Sequence, residues 1–543
     1  METGADSGHS RELIIVGTER RLVVHQREMV AVYDTTLRDG AQGSGVSFSL
    51  EDKLQVTRRL AQLGVAYVEG GWPSSNPKDA EYFRLCRRMD LGETRLAAFG
   101  STRRAGKKAS EDGSLRGILA AETGVGTIVG KSSAFQVREV LGVSLEENLR
   151  MIEESVEFLN REGLEVFFDA EHFFDGFRED PDYAILTLRA AEAGGASGLV
   201  LCDTRGGSLP WQVVKAIVRV RDICRVPLGI HAHNDGGLAV ANTLVAVRKG
   251  VAQVQGTVNG YGERCGNANL CSVIPNLELK QGVRCLPEGR LAQLASLAHF
   301  VSEMANLPAD ESQPFVGANA FTHKAGLHVG AVLKTPTAYE HVDPATVGGR
   351  RRVPVSELSG KSNLLYKARE AGLELDKESP STTRLLEKIK ELEHQGYQFE
   401  GAEASFELLA RKILGVHQTL FQAEEYRVLV ERKGGIGVEA TVKVRVGELV
   451  FHTAAEGNGP VNALDNALRK ALLDSFPQLN KIRLADYKVR VLEGKDGTGA
   501  RVRVLIESSD EHGHWNTVGV STDILEASWL ALVDSLEYGL GLR

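Results

Sequence analysis

Between Val30 and Glu278 the chain alternates short β-branched runs with amphipathic stretches, and it does so eight times. The runs fall at 31–35, 65–69, 95–99, 126–130, 165–169, 198–202, 228–232 and 252–257. Stretches of helical period lie between them, among them Leu50–Leu63, Leu145–Asn160, Pro181–Ala193 and Gly237–Lys249. Strands that alternate with helices predict a parallel sheet, because the helix carries the chain back to start the next strand in the same direction. Eight such units close an α/β sheet into a (β/α)8 TIM barrel. An open, doubly wound sheet is the alternative. The polar residues favour the barrel. Asp39, Lys131, Glu171, Asp203, Thr204, His231, His233 and Asn267 all fall at or just after the C-terminal end of a run. In a barrel those ends converge on one face, where such folds keep their chemistry.

His231 and His233 stand two apart at the end of the seventh run, so both imidazoles point to one side. A lone His-x-His is ordinarily structural. Opposite an aspartate in the first loop it becomes a chelating pair, with Asp39 as the natural third ligand. Read simply as a turn-forming Asp-Gly, Asp39 would account for Gly40 but not for the neighbouring Arg38. Asn267, in Gly262-Glu263-Arg264-Cys265-Gly266-Asn267, offers a carbonyl oxygen as a fourth ligand. Three protein ligands leave positions open, as in a catalytic rather than a structural metal site. This mixed set suits a divalent metal ion, Mn, Mg, Co or Zn, without choosing among them. Arg38 is suited to neutralising an oxyanion, its plainer reading being a surface ion pair. Glu171 is a candidate base, and the Thr204 hydroxyl can donate to a carboxylate. Gly70-Gly71 and Gly206-Gly207 read as turns; neither sits in a phosphate-binding frame, so no nucleotide site is indicated.

A formal net charge of −8 argues against nucleic acid or an anionic membrane as partner. No apolar run approaches the ~18 residues of a membrane helix. The six cysteines form no C-x-x-C pair, which points to a reducing, cytoplasmic setting. Residues 1–29 read as a loose N-terminal extension before a catalytic barrel at 30–285. Residues 286–425 hold helical stretches at Leu291–Met304, Thr382–His394 and Ser405–Leu414. Glycine- and arginine-rich loops at 348–352 and 359–362 separate them, so this is a connecting region, partly helical and partly mobile. From 426 to 543 strands of period two take over, and a pattern repeats. Ala463, Ala467, Leu468 and Leu472 recur 64 residues later as Ala527, Ala531, Leu532 and Leu536. That spacing is one face of a helix, and each helix follows several strands. The C-terminal domain is therefore expected to be α+β, with two β-β-β-α repeats.

Leu37-Arg38-Asp39-Gly40-Ala41-Gln42, with Lys53 beyond it, resembles the first signature of the isopropylmalate/homocitrate/citramalate synthase family. Leu228-Gly-Ile-His231-Ala-His233-Asn-Asp235 resembles the second, and Asn259-Gly-Tyr-Gly-Glu263-Arg264-Cys-Gly-Asn267 a third stretch. The similarity extends over nearly the whole chain. Glu69-Gly-Gly-Trp72-Pro73 and Ala170-Glu171-His172-Phe173-Phe174 are closest to the citramalate branch. The resemblance implies a Claisen-type condensation of acetyl-CoA with a 2-oxo acid, pyruvate in that branch, followed by thioester hydrolysis. It assigns Asp39, His231, His233 and Asn267 to a metal that holds the oxo acid. Arg38 and Gln42 are implied at the substrate, Arg38 on the ketone, with Thr204 on the carboxylate. His328, assisted by Glu171, is implied as the base. Ser133 and Gln136 stand where Trp and His are usual, and Arg205 where Asn is usual, so reaction type is better supported than substrate preference. Isopropylmalate or homocitrate synthesis is the alternative within the family, and an acyl-CoA lyase on the same barrel lies outside it. The C-terminal repeat favours a synthase. The branch further implies isoleucine biosynthesis, a homodimer and feedback by isoleucine. Gly459, Pro460, Asp523 and Ile524, at the starts of the two repeat helices, are the expected regulatory residues, the plainer reading being a pure dimerisation domain.

Overall fold

Each of the eight predicted runs forms a strand in the computed structural model, which describes residues 29–355, 360–432, 436–492 and 499–542. The expected N-terminal extension, except Met29, and Ser359 lie outside the described residues. The strands are β1 (Ala31–Asp34), β2 (Tyr67–Gly71), β3 (Arg95–Ser101), β4 (Val125–Lys131), β5 (Glu165–Glu171), β6 (Gly198–Asp203), β7 (Leu228–Ala232) and β8 (Gln253–Gly256). All pair in parallel in sequence order, and β1 pairs with β8, so the sheet closes into a barrel. The open sheet is excluded.

The helices form where pattern and cap agree. Leu50–Leu63 begins at Ser49, whose hydroxyl and the Asp52 carboxylate make a reciprocal capping box. It ends at Gly64, which takes the left-handed conformation at φ 91°. Its buried stripe is Val56, Leu60 and Leu63. Inside the barrel, the rings of Tyr33, Tyr67 and Phe167 pack 5.2–5.9 Å apart. Gly70 and Gly71, expected in a turn, instead end strand β2. A Cβ on Gly70 would lie 2.1 Å from the Tyr82 ring, so here glycine serves helix–sheet packing.

The chain divides into two compact units. The first runs to Gly317 and includes Thr346–Gly348, beyond the expected barrel limit at 285. The Asn259 amide explains the difference: it donates to Ala298 O and Ser302 Oγ, tying helix Leu294–Met304 to the loop after β8.

The second unit contains helices Gly326–Lys334, Lys361–Glu370, Pro380–His394 and Glu403–Leu414. Arg351, expected in a loop, is held by two hydrogen bonds to the buried Glu340, and Lys361 opens a helix rather than continuing a loop. Two antiparallel sheets follow. One consists of β9 (Gln422–Arg432), β10 (Ile436–Val446) and β11 (Leu449–Gly457), trailed by helix Pro460–Leu472. The other consists of β12 (Arg483–Val491), β13 (Val502–Asp510) and β14 (Gly513–Ser521), trailed by helix Ile524–Gly541. This is the β-β-β-α repeat, with its first strand starting at Gln422. All eight residues of the repeated pattern are buried in one shared core. No helix among the described residues is long and apolar enough to cross a membrane.

Candidate active site

At the end of β1 the chain turns sharply, the N–H groups of Arg38 and Gly40 both donating to Thr35 O. The fully buried Asp34 fixes the turn by accepting from Thr36 N and Thr36 Oγ1 at 3.0 and 2.8 Å. Burial pushes its carboxyl up to about 7. The turn brings Asp39 to the histidines at the end of β7. Asp39 Oδ2 lies 3.2 Å from His231 Nε2 and 3.9 Å from His233 Nε2, and the two Nε2 atoms are 3.4 Å apart. All three residues are buried.

Burial opposes the ionisation of Asp39, but Arg38 and the histidines outweigh it and hold the carboxyl well below the usual range. Burial and the neighbouring His231 push His233 down to about 4, leaving a neutral imidazole with a lone pair. For His231 burial works against the charge, and the hydrogen bond to Asp39 outweighs it, raising its pKa. A cation in the cluster would compete with that proton.

Asn267 is brought beside His233 by an antiparallel bridge. Its Nδ2 donates to Tyr261 O at 3.0 Å, while its Oδ1 is buried without a hydrogen-bond partner among the described residues, as is His233 Nδ1. Gly262, at φ 153°, permits this approach, because a Cβ there would sit 2.2 Å from Asn267 Nδ2. A buried carboxylate, two imidazoles and an orphaned amide oxygen together fit a divalent cation of the N/O-ligand type.

Three further residues shape the cluster, and sequence reasoning gave them no role. Gln255 stands beside His231 in the β7–β8 register. Its Oε1 lies 2.9 Å from His231 Nδ1, and its Nε2 donates to Asp169 Oδ1 at 3.1 Å. With the amide so oriented, Nδ1 carries the proton and Nε2 faces the cluster. Burial and Glu69 push the Asp169 carboxyl up to about 7. Glu69 itself accepts from Tyr33 OH at 2.9 Å and from Arg38 Nε at 2.5 Å. Arg38 also lies over the Phe99 ring, 3.9 Å from its centroid, and 3.7 Å from Asp39 Oδ2. Burial works against its charge, but Glu69 and Asp39 outweigh it and keep the guanidinium protonated. The surface ion pair considered for Arg38 is therefore replaced by a buried one. A sequence signal for Gln255 does exist: Gln253 and Gln255 alternate with apolar residues, which places two amides on one face of the strand.

Other expected residues fall around this cluster or apart from it. Glu171 pairs with Lys131 across neighbouring strand ends at 2.5 Å. Thr204 Oγ1 accepts from His172 N at 2.8 Å, leaving its own hydrogen to donate. Gln42 is exposed on the short turn Gly40–Gln42. Ser133 is buried and accepts the Gln136 N–H, while Arg205 is exposed, with Asp175 3.8 Å away. His328 belongs to the second unit, exposed on helix Gly326–Lys334 with its ring 4.4 Å from that of Tyr339. Gly459 precedes helix Pro460–Leu472 without a side-chain cap. Asp523 caps its own helix, accepting from Leu525 N at 2.7 Å and Glu526 N at 3.4 Å, and Ile524 is exposed beside it.

Residues 29–301 match the HMGL-like family, 315–397 the homocitrate synthase post-HMGL domain-like family, and 400–540 the LeuA allosteric (dimerisation) domain. An (R)-citramalate synthase of Geobacter sulfurreducens is 52% identical over 94% of this chain and 98% of its own length. One of Aquifex aeolicus is 51% identical over 94% and 98%. The chain belongs to the citramalate synthase family. Relatives of another specificity are more distant: a 2-isopropylmalate synthase of Methanocaldococcus jannaschii is 30% identical over 95% of this chain and 96% of its own. Membership makes the chain an enzyme of the acyl-transferring type.

Proposed function

We propose that this enzyme condenses acetyl-CoA with pyruvate and hydrolyses the thioester, releasing (R)-citramalate and CoA. The observation that carries this reading is the gap in identity, 47–52% to five (R)-citramalate synthases against 30–32% to three 2-isopropylmalate synthases, over similar lengths. Asp39, His231, His233 and Asn267 would hold the divalent cation. Bound there, such an ion supplies Lewis-acid polarisation of a 2-oxo acid's ketone. Arg38, aligned by Glu69, holds a fixed positive charge next to Asp39, where it can meet negative charge developing on the ketone oxygen. Thr204, its oxygen occupied by the His172 N–H, turns its hydroxyl hydrogen to the substrate carboxylate. Exposed at the end of the β1 turn, Gln42 supports the substrate from that side.

The acetyl methyl must lose a proton. His328 keeps the role of base on the family resemblance, with Glu171, poised against Lys131, assisting. The C-terminal repeats belong to an allosteric domain, and isoleucine feedback in a cytoplasmic homodimer accords with this reading.

The test is a thiol-release assay with acetyl-CoA against pyruvate, 2-oxobutanoate, 2-oxoisovalerate and 2-oxoglutarate. Pyruvate is expected to give the highest kcat/KM. A higher value for 2-oxoisovalerate would move the enzyme to isopropylmalate synthesis.

A further inference from the structure

The loops after β6, β7 and β8 carry Thr204, His233 and Asn267, and they are bonded to one another through their backbones. His233 N donates to Asp203 O at 3.2 Å, Gly236 N to Gly206 O at 2.8 Å and Asn234 N to Gly266 O at 2.9 Å. The first two loops touch so closely that a Cβ on Gly206 would lie 2.5 Å from Asp235 Oδ2. One side chain joins all three. Arg264, on the loop after β8, donates from Nε to Asp235 Oδ1 at 2.7 Å and from Nη2 to Asp235 Oδ2 at 3.0 Å. The same Nη2 donates to Thr204 O at 2.8 Å.

As an ion pair this contact stabilises little, because the Arg264 side chain is 43% exposed. Its geometry points to another use. The Arg264 backbone stands at φ 55°, in the left-handed region that a residue with a Cβ rarely adopts. Such a conformation persists only where the surrounding contacts over-determine it. The bond to Thr204 O matters as well. Thr204 Oγ1 already accepts from His172 N, so Arg264 pins the same residue from its other end. Three residues further on stands Asn267, bridged to His233. A planar fork can serve Asp235 and Thr204 O at once, which a lysine ammonium on a flexible stem cannot do with the same geometry.

We propose that Arg264 and Asp235 are positioning residues, which set the spacing between Thr204 and the ligand residues His233 and Asn267. The inference rests on the function proposed above. In a 2-oxo acid the ketone carbon is bonded directly to the carboxyl carbon, so the two polar ends stand at a fixed separation. Both ends engage only when the loop that grips the carboxylate and the loops at the ketone keep a matching separation. A displacement of one loop therefore weakens the 2-oxo acid's binding in particular. The thioester substrate makes no such two-ended demand on these loops.

The test compares the full-length wild type with Arg264→Gly, Arg264→Lys and the double variant Asp235→Asn/Arg264→Gly. Glycine accepts the left-handed backbone freely, so Arg264→Gly removes the fork without adding strain. Its KM for pyruvate is expected to rise about tenfold or more, with the KM for acetyl-CoA unchanged. Arg264→Lys should lie between, and the double variant should match Arg264→Gly because the pair acts as a unit. Millimolar guanidinium chloride should lower the pyruvate KM of Arg264→Gly and leave the wild type's unchanged, since the vacated place is open to solvent. Hydrogen exchange read by mass spectrometry, which needs no turnover, should show faster exchange at 203–208 and 260–268 in Arg264→Gly. An unchanged pyruvate KM overturns the positioning role, and so does an equal rise in both KM values. If the loops loosen in Arg264→Gly, yet the wild type releases no thiol with pyruvate, the clamp stands and the proposed reaction falls.

Discussion

At the residue scale, the site divides into side chains that the sequence announces and side chains that it hides. Asp39, His231 and His233 are legible because their spacing and their place at strand ends have few other uses. Glu69 is hidden because it acts through a partner far along the chain, and an isolated polar residue within a strand has many bland explanations; Gln255 is marked only by its alternation with Gln253, which does not name its partner. Asp39→Ala or His231→Ala should abolish both bound metal after dialysis and CoA release, with an unchanged circular dichroism spectrum, since the remaining donors are too few to hold a cation against water. Wild-type activity in metal-depleted buffer would sink the metal assignment. Arg38→Lys should bind metal normally but lose about 10²-fold in kcat, because an ammonium cannot both satisfy Glu69 and present a second fixed donor near Asp39. An unchanged kcat with pyruvate would make Arg38 structural. Gln255→Leu leaves every proposed ligand in place but removes the acceptor that fixes the His231 tautomer. Its metal affinity, measured by competition with a chelating dye, should fall about 10- to 100-fold. Gln255→Glu, which keeps an acceptor for Nδ1, should lie between the two; equal affinity in all three proteins would refute the orienting role.

At the scale of elements, the barrel strands were readable because β-branched runs and period-3.6 stretches alternate without ambiguity. Strand β2 is the instructive difference, expected at 65–69 and found at Tyr67–Gly71. Its pairing with β3 shifts register between Glu69 and Gly71, an irregularity next to the residue that holds Arg38. Paired glycines suggest a turn unless one knows that Tyr82 packs against Gly70 and Asp79 against Gly71. The repeat domain was legible from its helices, whose buried face recurs, whereas the close strand–helix contacts behind it were not. In each copy a strand glycine lies against the backbone of the following helix: a Cβ on Gly457 would come within 2.3 Å of Ala463 N, and one on Gly519 within 2.0 Å of Ala527 O. Gly519→Ala must therefore push the helix Ile524–Gly541 off its sheet, at a cost of about 1–3 kcal/mol. Scanning calorimetry should show a lowered Tm, and an unchanged Tm would mean that the sheet flexes away freely.

At the scale of the whole molecule, the candidate metal cluster and the allosteric domain family match different parts of the sequence, the barrel at 29–301 and residues 400–540. Family membership alone does not say which end product is sensed. We expect isoleucine to bind the C-terminal repeats and lower activity. Coupling of this kind requires only that the ligand favour one conformational state over another. The two repeat helices are not equivalent as carboxylate sites. Asp523 already occupies the first N–H groups of helix Ile524–Gly541, and its negative charge suits an ammonium instead. Helix Pro460–Leu472 begins at Gly459 with no side-chain cap among the described residues, so the N–H groups that follow Pro460 are left for an amino-acid carboxylate. Gly459→Asp would supply a competing cap, and should weaken isoleucine binding by about tenfold or more while leaving uninhibited turnover intact. Asp523→Asn keeps a capping oxygen but loses the charge, so it should weaken binding through the ammonium alone. Calorimetry on the full-length protein decides between the readings: no heat with isoleucine or leucine would leave the domain a dimerisation module. Binding that survives Gly459→Asp would place the amino acid elsewhere in the repeats.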